Sequence, residues 1–483
     1  MYSLSKLNSE FRALFTSYYQ EQPLAVTPLP ASGSTRQYYR IQSKSHSAIA
    51  AFNPNIAENK SFIYFAKHFG EAGLNVPAVV AVNEAGDCYL QTDLGTSSLF
   101  DKVMQSWQSG RFQAELIPLY KKAVEHLVDF QLKGHEGLDY NKAWPVSAFD
   151  KQAVMDDLLY FKYYFLKPHS LVINEFKLQQ DFEKLAGFIQ QAPADFFMYR
   201  DFQSRNIMLQ QDKMFFIDFQ GGRRGPLQYD LISLLYQAKA RIPETVRDEI
   251  KRHYMSQLAR RLDVEKLQFD DFFTAFVYLR LMQVLGAYGF RGLIQKKPHF
   301  LESIPYALQE IEYLSQKQTL PLVLPELELA FAQLTSLKKT YPLRETNQPK
   351  GLRIHVNSFS YLKTGVPHDV SGNGGGHVFD CRALPNPGRI HAYKMLSGQD
   401  KAVRDYLEAQ PALEDFMKPT LEIITQSIQN YVERGFSSLM VSFGCTGGQH
   451  RSVYCAEKTA AFLRNKYPEL KVVLNHTQLN QQQ

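Results

Sequence analysis

Four cysteines in 483 residues are too few for a disulfide framework, and Cys88, Cys381, Cys445 and Cys455 form no CxxC pair that would mark a structural zinc site. A soluble protein of a reducing cytosol is the expected setting. No stretch reaches the ~18 unbroken apolar residues of a membrane span. Met1 to Phe15 alternate polar and apolar residues and lack the apolar core of a secretory signal. Glycine (27) and proline (23) together make about a tenth of the chain, which excludes a collagen-like or wholly low-complexity protein. A net charge of +6, from 54 basic and 48 acidic residues, is too dilute to predict nucleic-acid binding. No internal repeat is visible.

What is present is an ordinary globular composition, 45% hydrophobic and 13% aromatic. The length alone predicts about three domains at ~150 residues each. A seam lies at Tyr341 to Lys350, polar, with two prolines and no apolar periodicity. Before it, Gln37 to Gln42, Ser47 to Phe52, Val76 to Val82 and Cys88 to Thr92 are expected strands, with a helix near Asn59 to Gly73. After Asp93-Leu94-Gly95 the periodicity turns helical, through Ala114 to Leu132 and Ala153 to Phe165.

The chemistry of the first part concentrates in Tyr199-Arg200-Asp201-Phe202-Gln203-Ser204-Arg205-Asn206, followed by apolar Ile207-Met208-Leu209, a turn, and Met214 to Gln220. Asp201 and Asn206 are five apart, and Asp218 ends a short apolar strand twelve residues later. Phosphoryl transfer needs one carboxylate to orient the attacking hydroxyl and hard oxygen ligands to hold magnesium against phosphates. Asp201 as base, with Asn206 and Asp218 as metal ligands, supplies those roles in order. The bland reading, turn and helix caps, accounts for any one of these residues more easily than for all three.

Those motifs resemble the aminoglycoside phosphotransferase and choline kinase-like superfamily, which carries H-x-D-x4-N followed by I-D-F or I-D-W. Tyr199 stands where many members have histidine. Gly225-Pro226-Leu227-Gln228-Tyr229-Asp230-Leu231 is similar to the family's G-P-x-x-Y-D-L, and Asp230 is expected to be a structural helix cap supporting the loop. The match is nearer to the bacterial anomeric kinases of N-acetylmuramate and N-acetylglucosamine, with R-D-F-H-x-R-N and I-D-F-Q against R-D-F-Q-S-R-N and I-D-F-Q here. Arg280 to Gly286 resembles that branch's late helix. The resemblance covers roughly Ser3 to Leu337 and implies ATP and Mg²⁺ as cofactors.

The nucleotide end departs from the pattern. Pro30 to Arg40 holds a single-glycine loop, a weak signal for phosphate binding, with Ser32, Gly33, Ser34, Arg36 and Arg40 as candidate contacts. The strand lysine that should hold the α and β phosphates is absent from Ser47 to Phe52. Phosphate neutralisation then falls to Arg36, Arg40 or the metal. Gln91, Thr92, Asp93, Leu94 and Gly95 form the expected hinge, with Gln91, Asp93 and Leu94 as candidate nucleotide contacts; a plain inter-lobe turn is the simpler alternative.

In the second part, an amphipathic helix is expected over Phe416 to Arg434 and a buried strand over Ser438 to Phe443, followed by the loop Gly444 to Ser452 and a helix from Val453. Strand, glycine-rich loop and helix N-terminus form an anion site, with Arg451 as an added donor. The loop also satisfies C-x2-G-x2-R-S, the signature of cysteine phosphatases, in which a thiolate at Cys445 would attack phosphorus. Three features favour simple phosphate binding. Val378 to Pro387 resembles the F-D-x-R-F-L-P-N-P segment of the RapZ family of RNase adapter proteins. Phe359 and Tyr361 to Pro367 resemble its S-F-G-x-K-x-G-x-P, and Gly444 to Ser452 match its G-C-T-G-G-x-H-R-S throughout. The resemblance covers Leu352 to about Gln478, the family's C-terminal domain. It implies a sensor of an amino-sugar phosphate at Cys445, Thr446, Gly447, Gly448, His450, Arg451 and Ser452, in a family that is often oligomeric. No G-x4-G-K-[ST] of that family's ATPase part occurs, and His391 stands only near the position of its histidine after P-N-P. The chain lacks the family's basic tail, so RNA is not an expected partner.

The expected fold is an α+β protein-kinase-like two-lobed domain (N-lobe 1–95, helical C-lobe 96–340), a linker over 341–350, and an α/β RapZ-C-like domain over 351–483. The expected function is an ATP- and Mg²⁺-dependent amino-sugar kinase with a phosphosugar-binding regulatory domain, cytoplasmic, without membrane partners, and with homo-oligomers forming through the C-terminal domain. The alternatives are a non-catalytic regulatory protein with a degenerate kinase lobe, and a phosphatase at Cys445.

Overall fold

The computed structural model describes residues 4–30, 36–211, 213–317, 320–341, 351–369, 375–433 and 436–479. The chain divides into two compact units, Met1–Thr346 and Asn347–Gln483, rather than the three that length suggests. The reason is that the long first unit is stitched together by one large core reaching from its sheet to its last helices.

The first unit opens with α1 (Leu4–Tyr19) and a five-stranded antiparallel sheet in the order β1-β2-β3-β5-β4. Its strands are β1 (Ala25–Pro28), β2 (Gln37–Gln42), β3 (Ser47–Phe52), β4 (Val79–Val82) and β5 (Cys88–Thr92). Helix α2 (Ile56–Glu71) lies between β3 and β4 in sequence. Leu7, Phe11 and Phe15 of α1 bury one face of the sheet against Tyr39, Ile41, Ala48, Ala50 and Leu90. The other face packs on α2, so β3 is covered on both sides, which is why Ser47 to Phe52 reads as a continuous apolar run. Asn55 caps α2 by accepting from the Glu58 N–H at 3.2 Å.

The helical part comprises α3 (Leu99–Gln108), α4 (Leu116–Leu132), α5 (Lys151–Phe161), α6 (Glu175–Ile189), α7 (Gln228–Leu235), α8 (Glu244–Leu258), α9 (Phe269–Tyr288), α10 (Pro298–Leu301), α11 (Ile304–Lys317) and α12 (Pro325–Ser336). Two small antiparallel ladders, β6 (Phe196–Met198) with β9 (Arg223–Gly225) and, between them in sequence, the hairpin β7 (Ile207–Gln210) with β8 (Lys213–Phe216), interrupt it between α6 and α7. Helix α2 joins the two lobes: Phe69 packs edge-on against Phe130, Phe197 and Phe219 at 4.9–5.4 Å between ring centres.

One helical stretch, Phe269–Ile294, is long and apolar enough to cross a membrane by length and composition, and 78% of its apolar window is buried inside this unit. It crosses α5 and the wide turn Lys162–Leu166 closely because Gly286 and Gly289 carry no side chain at the contact.

The second unit is a parallel sheet in the order β11-β12-β10-β13, with β10 (Arg353–Ser360), β11 (Gly376–Asp380), β12 (Ser438–Cys445) and β13 (Lys471–His476). Helices α13 (Lys401–Glu408) and α14 (Pro411–Glu433) precede β12, and α15 (Arg451–Lys466) links β12 to β13. Two boundaries differ from the expectation. Helix α14 begins five residues before Phe416 and runs through Pro419, and α15 begins at Arg451, so Arg451 and Ser452 belong to its first turn. The chain leaving β10 passes β12 to reach β11, and the chain leaving β12 passes β10 to reach β13, so the connections from these adjacent strands run in opposite directions along the sheet. The carboxyl ends of strands at such a switch in direction are where open parallel sheets bind ligands.

A methyl group at Gly289 would sit 1.9 Å from the Tyr164 carbonyl oxygen, whereas one at Gly187 meets nothing within 4 Å. Gly289→Ala is expected to lower stability by about 1–3 kcal/mol through overpacking, seen as a lower urea midpoint. Gly187→Ala, in the last turn of α6, is expected to hold or raise it.

Candidate functional site

The site is built on the backbone between β6 and β7. Arg200 and Asp218 both adopt left-handed conformations, with φ of 79° and 71°, which non-glycine residues take up only when their surroundings hold them. The carboxylate of Asp230, wholly buried in α7, accepts the Tyr199 N–H at 2.6 Å and the Arg200 N–H at 2.8 Å. Asp230 supports the loop as expected from sequence, but not as a helix cap: α7 has no side-chain cap, and the carboxylate holds the loop amides directly. Burial pushes its carboxyl up to about 7 even though both backbone hydrogen bonds favour the ion. The Arg200 guanidinium forms a two-pronged pair with Asp157 at 2.8 and 2.6 Å, and the Tyr199 hydroxyl donates to the Ile217 carbonyl at 2.7 Å. Loop and strand end are thus tied at three points.

These ties bring the three predicted residues together. The Asn206 side-chain amide donates to the Asp201 carbonyl at 2.9 Å and approaches an Asp218 carboxylate oxygen at 3.3 Å. Asp201 is half-buried, and Gln203 reaches its carboxylate at 3.3 Å. Gln220 donates to Asp218 at 2.8 Å. Burial raises the Asp218 carboxyl above the usual range, and the nearby Asp201 charge adds to the effect.

A half-buried carboxylate short of compensating charge, beside an amide whose oxygen is not engaged in these bonds, fits a divalent cation. Among the described residues no group of three or more His, Cys, Asp or Glu side chains forms a complete metal cage. The donor set here is one carboxylate and one amide, the kind that leaves coordination positions for phosphate oxygens.

Sequence reasoning missed Arg280 as a member of this site. Only 3% exposed, it lies 3.6 Å from the Asp201 carboxylate and donates to the Tyr229 hydroxyl at 3.1 Å and to Gln283 at 2.9 Å. The signal was available: Arg280 is the one charged residue in the otherwise apolar middle of α9.

At the nucleotide end, Ser32, Gly33 and Ser34 lie outside the described residues. Arg40 is bound by the hinge, donating to Asp93 at 2.7 and 3.0 Å and to the Gly95 carbonyl at 2.9 Å, and Ser47 donates to Asp93 at 2.6 Å. These two side chains brace the hinge rather than reaching into the cleft. Gln91 and Leu94 are buried at the same place, and among the described residues the Gln91 side-chain oxygen has no hydrogen-bond partner. Arg36 is buried at 3% exposure and pairs with Glu58 at 3.0 Å.

In the second unit, Cys445 ends β12 and its sulfur lies 3.1 Å from the Ser452 hydroxyl. Thr446 and Gly447 are exposed. Gly448 has a φ of 69°, and a side chain there would strike Ser360 and Gln478. The Thr446 carbonyl accepts from the Ser360 hydroxyl at 2.7 Å, joining the loop to the end of β10. Gln449 donates to the Leu396 carbonyl at 2.6 Å, and a His450 ring nitrogen lies 2.9 Å from the Tyr393 carbonyl. His391 is exposed on the neighbouring turn. Arg451 departs from the expected free donor: one of its terminal nitrogens is held by the carbonyls of Arg382 and Leu384 at 2.8 and 2.9 Å, although its buried Nε has no partner.

Residues 25–264 match the phosphotransferase enzyme family, and residues 352–480 match the RapZ C-terminal domain. The chain joins a phosphotransferase-family domain of kinase-like α+β fold to an α/β RapZ C-terminal domain. A nucleotide-binding protein of Endomicrobium trichonymphae is 40% identical over 125 residues, 26% of this chain and 41% of that protein. One from Alkaliphilus oremlandii is 36% identical over 181 residues, 37% of this chain and 59% of that protein. The chain therefore spans between about two-fifths and three-fifths of the length of these curated relatives. Among solved structures, amicoumacin kinase hAmiN in complex with AMP-PNP, Ca²⁺ and Ami aligns at a TM-score of 0.46 and 12% identity, covering 71% of this chain and 95% of that one. Choline kinase from Cryptosporidium parvum Iowa II aligns at 0.47 and 11%, covering 66% and 98%.

Asp230 supplies a pH test of the loop. Its folded pKa lies above the ~3.9 of an unfolded aspartate, so the stability present when it is protonated is lost as pH rises from about 4 through about 7. Thermal melts at pH 5 and pH 8 are expected to show the native chain losing stability relative to Asp230→Asn on going to the higher pH.

Proposed function

We propose that the first unit transfers the γ-phosphoryl group of ATP to a hydroxyl of an amino sugar of the N-acetylmuramate or N-acetylglucosamine type, at the anomeric position. The observation that carries this reading is the meeting of Asp201, Asn206 and Asp218 around one point, on a loop held in place by Asp230. Asp201 orients the acceptor hydroxyl and takes its proton as the new O–P bond forms. Arg280 fixes the Asp201 carboxylate from behind. Asn206 and Asp218 hold Mg²⁺. When bound there, Mg²⁺ would supply positive charge that offsets the charge developing on the transferred group. The hydroxyl acceptor and the sugar class rest on the sequence motifs Arg200 to Asn206 and Ile217 to Gln220, and on the family to which the unit belongs.

The second unit, in this reading, binds a phosphorylated amino sugar at the Thr446–Ser452 loop and reports its level. The loop stands at the carboxyl end of β12, beside that of β10, and leads into the first turn of α15. All four cysteines are free and buried, which agrees with a cytoplasmic setting.

An assay of sugar-dependent ADP formation over a panel of amino sugars and aminoalcohols, with NMR of the product, tests the first half. Turnover is expected on an N-acetylated amino sugar, with phosphate at the anomeric carbon. Asp201→Asn is expected to lower kcat by about 10²–10⁴-fold while the melting temperature holds; full activity in that variant removes the base assignment. For the second half, glucosamine-6-phosphate is expected to raise the melting temperature of the intact chain where glucosamine does not. Gly448→Ala is expected to abolish the shift.

A further inference from the structure

We infer that the guanidinium of Arg36, held in place by Glu58, is the phosphate anchor of the nucleotide site and does the work of the lysine that β3 lacks. The inference rests on the kinase reading above, and it adds a positioning residue, Glu58, that no sequence motif indicated.

Strand β3 runs Ser-Ala-Ile-Ala-Ala-Phe, and Ala48, Ala50 and Ala51 are fully buried, so no side chain on it can reach a phosphate. Antiparallel pairing sets Gln37 of β2 opposite Phe52 of β3, which places Arg36 beside the end of β3 and the start of α2. One of its terminal nitrogens donates to Glu58 at 3.0 Å and lies 3.4 Å from the Asn59 side-chain oxygen. The second oxygen of Glu58 accepts from the Asn53 amide at 2.9 Å. Asn59, itself fully buried, donates to the carbonyls of Asn53 and Gly86 at 2.8 and 2.9 Å. Glu58 is thereby fixed at both oxygens, and it fixes Arg36 in turn.

What the network does not use points to a ligand. Among the described residues, the buried Nε and Nη1 atoms of Arg36 make no hydrogen bond of normal geometry, although the Tyr38 hydroxyl lies near the guanidinium. A guanidinium presents donors in a rigid fork that matches phosphate oxygens. Leaving two of its three nitrogens unpaired in a buried position is costly unless an anion completes them. The Tyr89 hydroxyl and the Gln220 side-chain oxygen are likewise buried and unpartnered.

The position is also right for the chemistry. The Arg36 guanidinium carbon lies 5.7 Å from the centre of the Phe62 ring, and Phe62 stacks on Phe219 at 4.9 Å. Phe219 follows the metal ligand Asp218 in the chain, and Gln220 holds that ligand at 2.8 Å. Arg36 is thus linked, through Phe62 and Phe219, to the segment that carries Asp218. Arg40, the other candidate, is removed by its bonds to Asp93 and Gly95.

Equilibrium binding of ATP and of adenosine to the intact chain, Arg36→Met and Glu58→Gln, each in Mg²⁺, tests the assignment. Methionine keeps an apolar stem against Phe62 and removes the charge. Arg36→Met is expected to lose about 10- to 100-fold in ATP affinity, the scale of charge-assisted hydrogen bonds, with adenosine affinity unchanged. Glu58→Gln is expected to lose ATP affinity several-fold, again sparing adenosine. If Arg36→Met does not fold, Glu58→Gln decides by the same ratio. ATP binding with an ATP-to-adenosine ratio unmoved by these variants overturns this inference alone. Absence of ATP binding by the intact chain overturns the kinase reading and this inference with it.

Discussion

The carboxylate of Asp230 beneath the Tyr199 and Arg200 amides is the contact on which the rest of the first unit's site depends. A left-handed arginine costs energy that the local sequence cannot supply. Two short hydrogen bonds to a buried carboxylate, and the Arg200–Asp157 pair, hold that strained turn in place. Because the turn is held, Asp201 leaves the loop at a fixed angle, and Asn206 can touch both the Asp201 backbone and Asp218. A flexible loop would present the same residues without gathering them.

Much of this was legible in the sequence. The D-x4-N…D spacing marks Asp201, Asn206 and Asp218, and the structure sets them together. Strands Gln37–Gln42, Ser47–Phe52 and Cys88–Thr92 coincide with their expected limits, because β-branched and aromatic runs flanked by polar turns leave little choice of register. What was not legible depends on long-range pairing. Nothing near Arg40 in sequence predicts that Asp93, more than fifty residues on, occupies it. Asp230 read as a helix cap supporting the loop; the support holds but the cap does not, because a local pattern cannot tell a carboxylate facing its own helix from one facing a distant loop. Arg280 could have been found, since a lone arginine inside an apolar helix requires a partner.

The second unit shows the same division. Strand, loop and helix over Ser438 to Lys466 follow from the apolar run and the glycines. The lodging of Arg451 against the Arg382 and Leu384 carbonyls does not, because those residues come from the segment after β11. That contact makes Arg451 a clamp joining two strand-end loops. The Cys445–Ser452 contact gives the loop a polar closure at its base, and the neighbouring thiols of Cys381 and Cys455 are buried.

Helix α2 has a consequence for how the first unit could be turned off. Near its start it carries Glu58, beneath Arg36, and one turn later Phe62, against Phe219. A rigid rod gripping at both places cannot release one and keep the other. Because both grips belong to one helix, rotating it by a fraction of a turn would disturb the Arg36–Glu58 pair and the Phe62–Phe219 stack together.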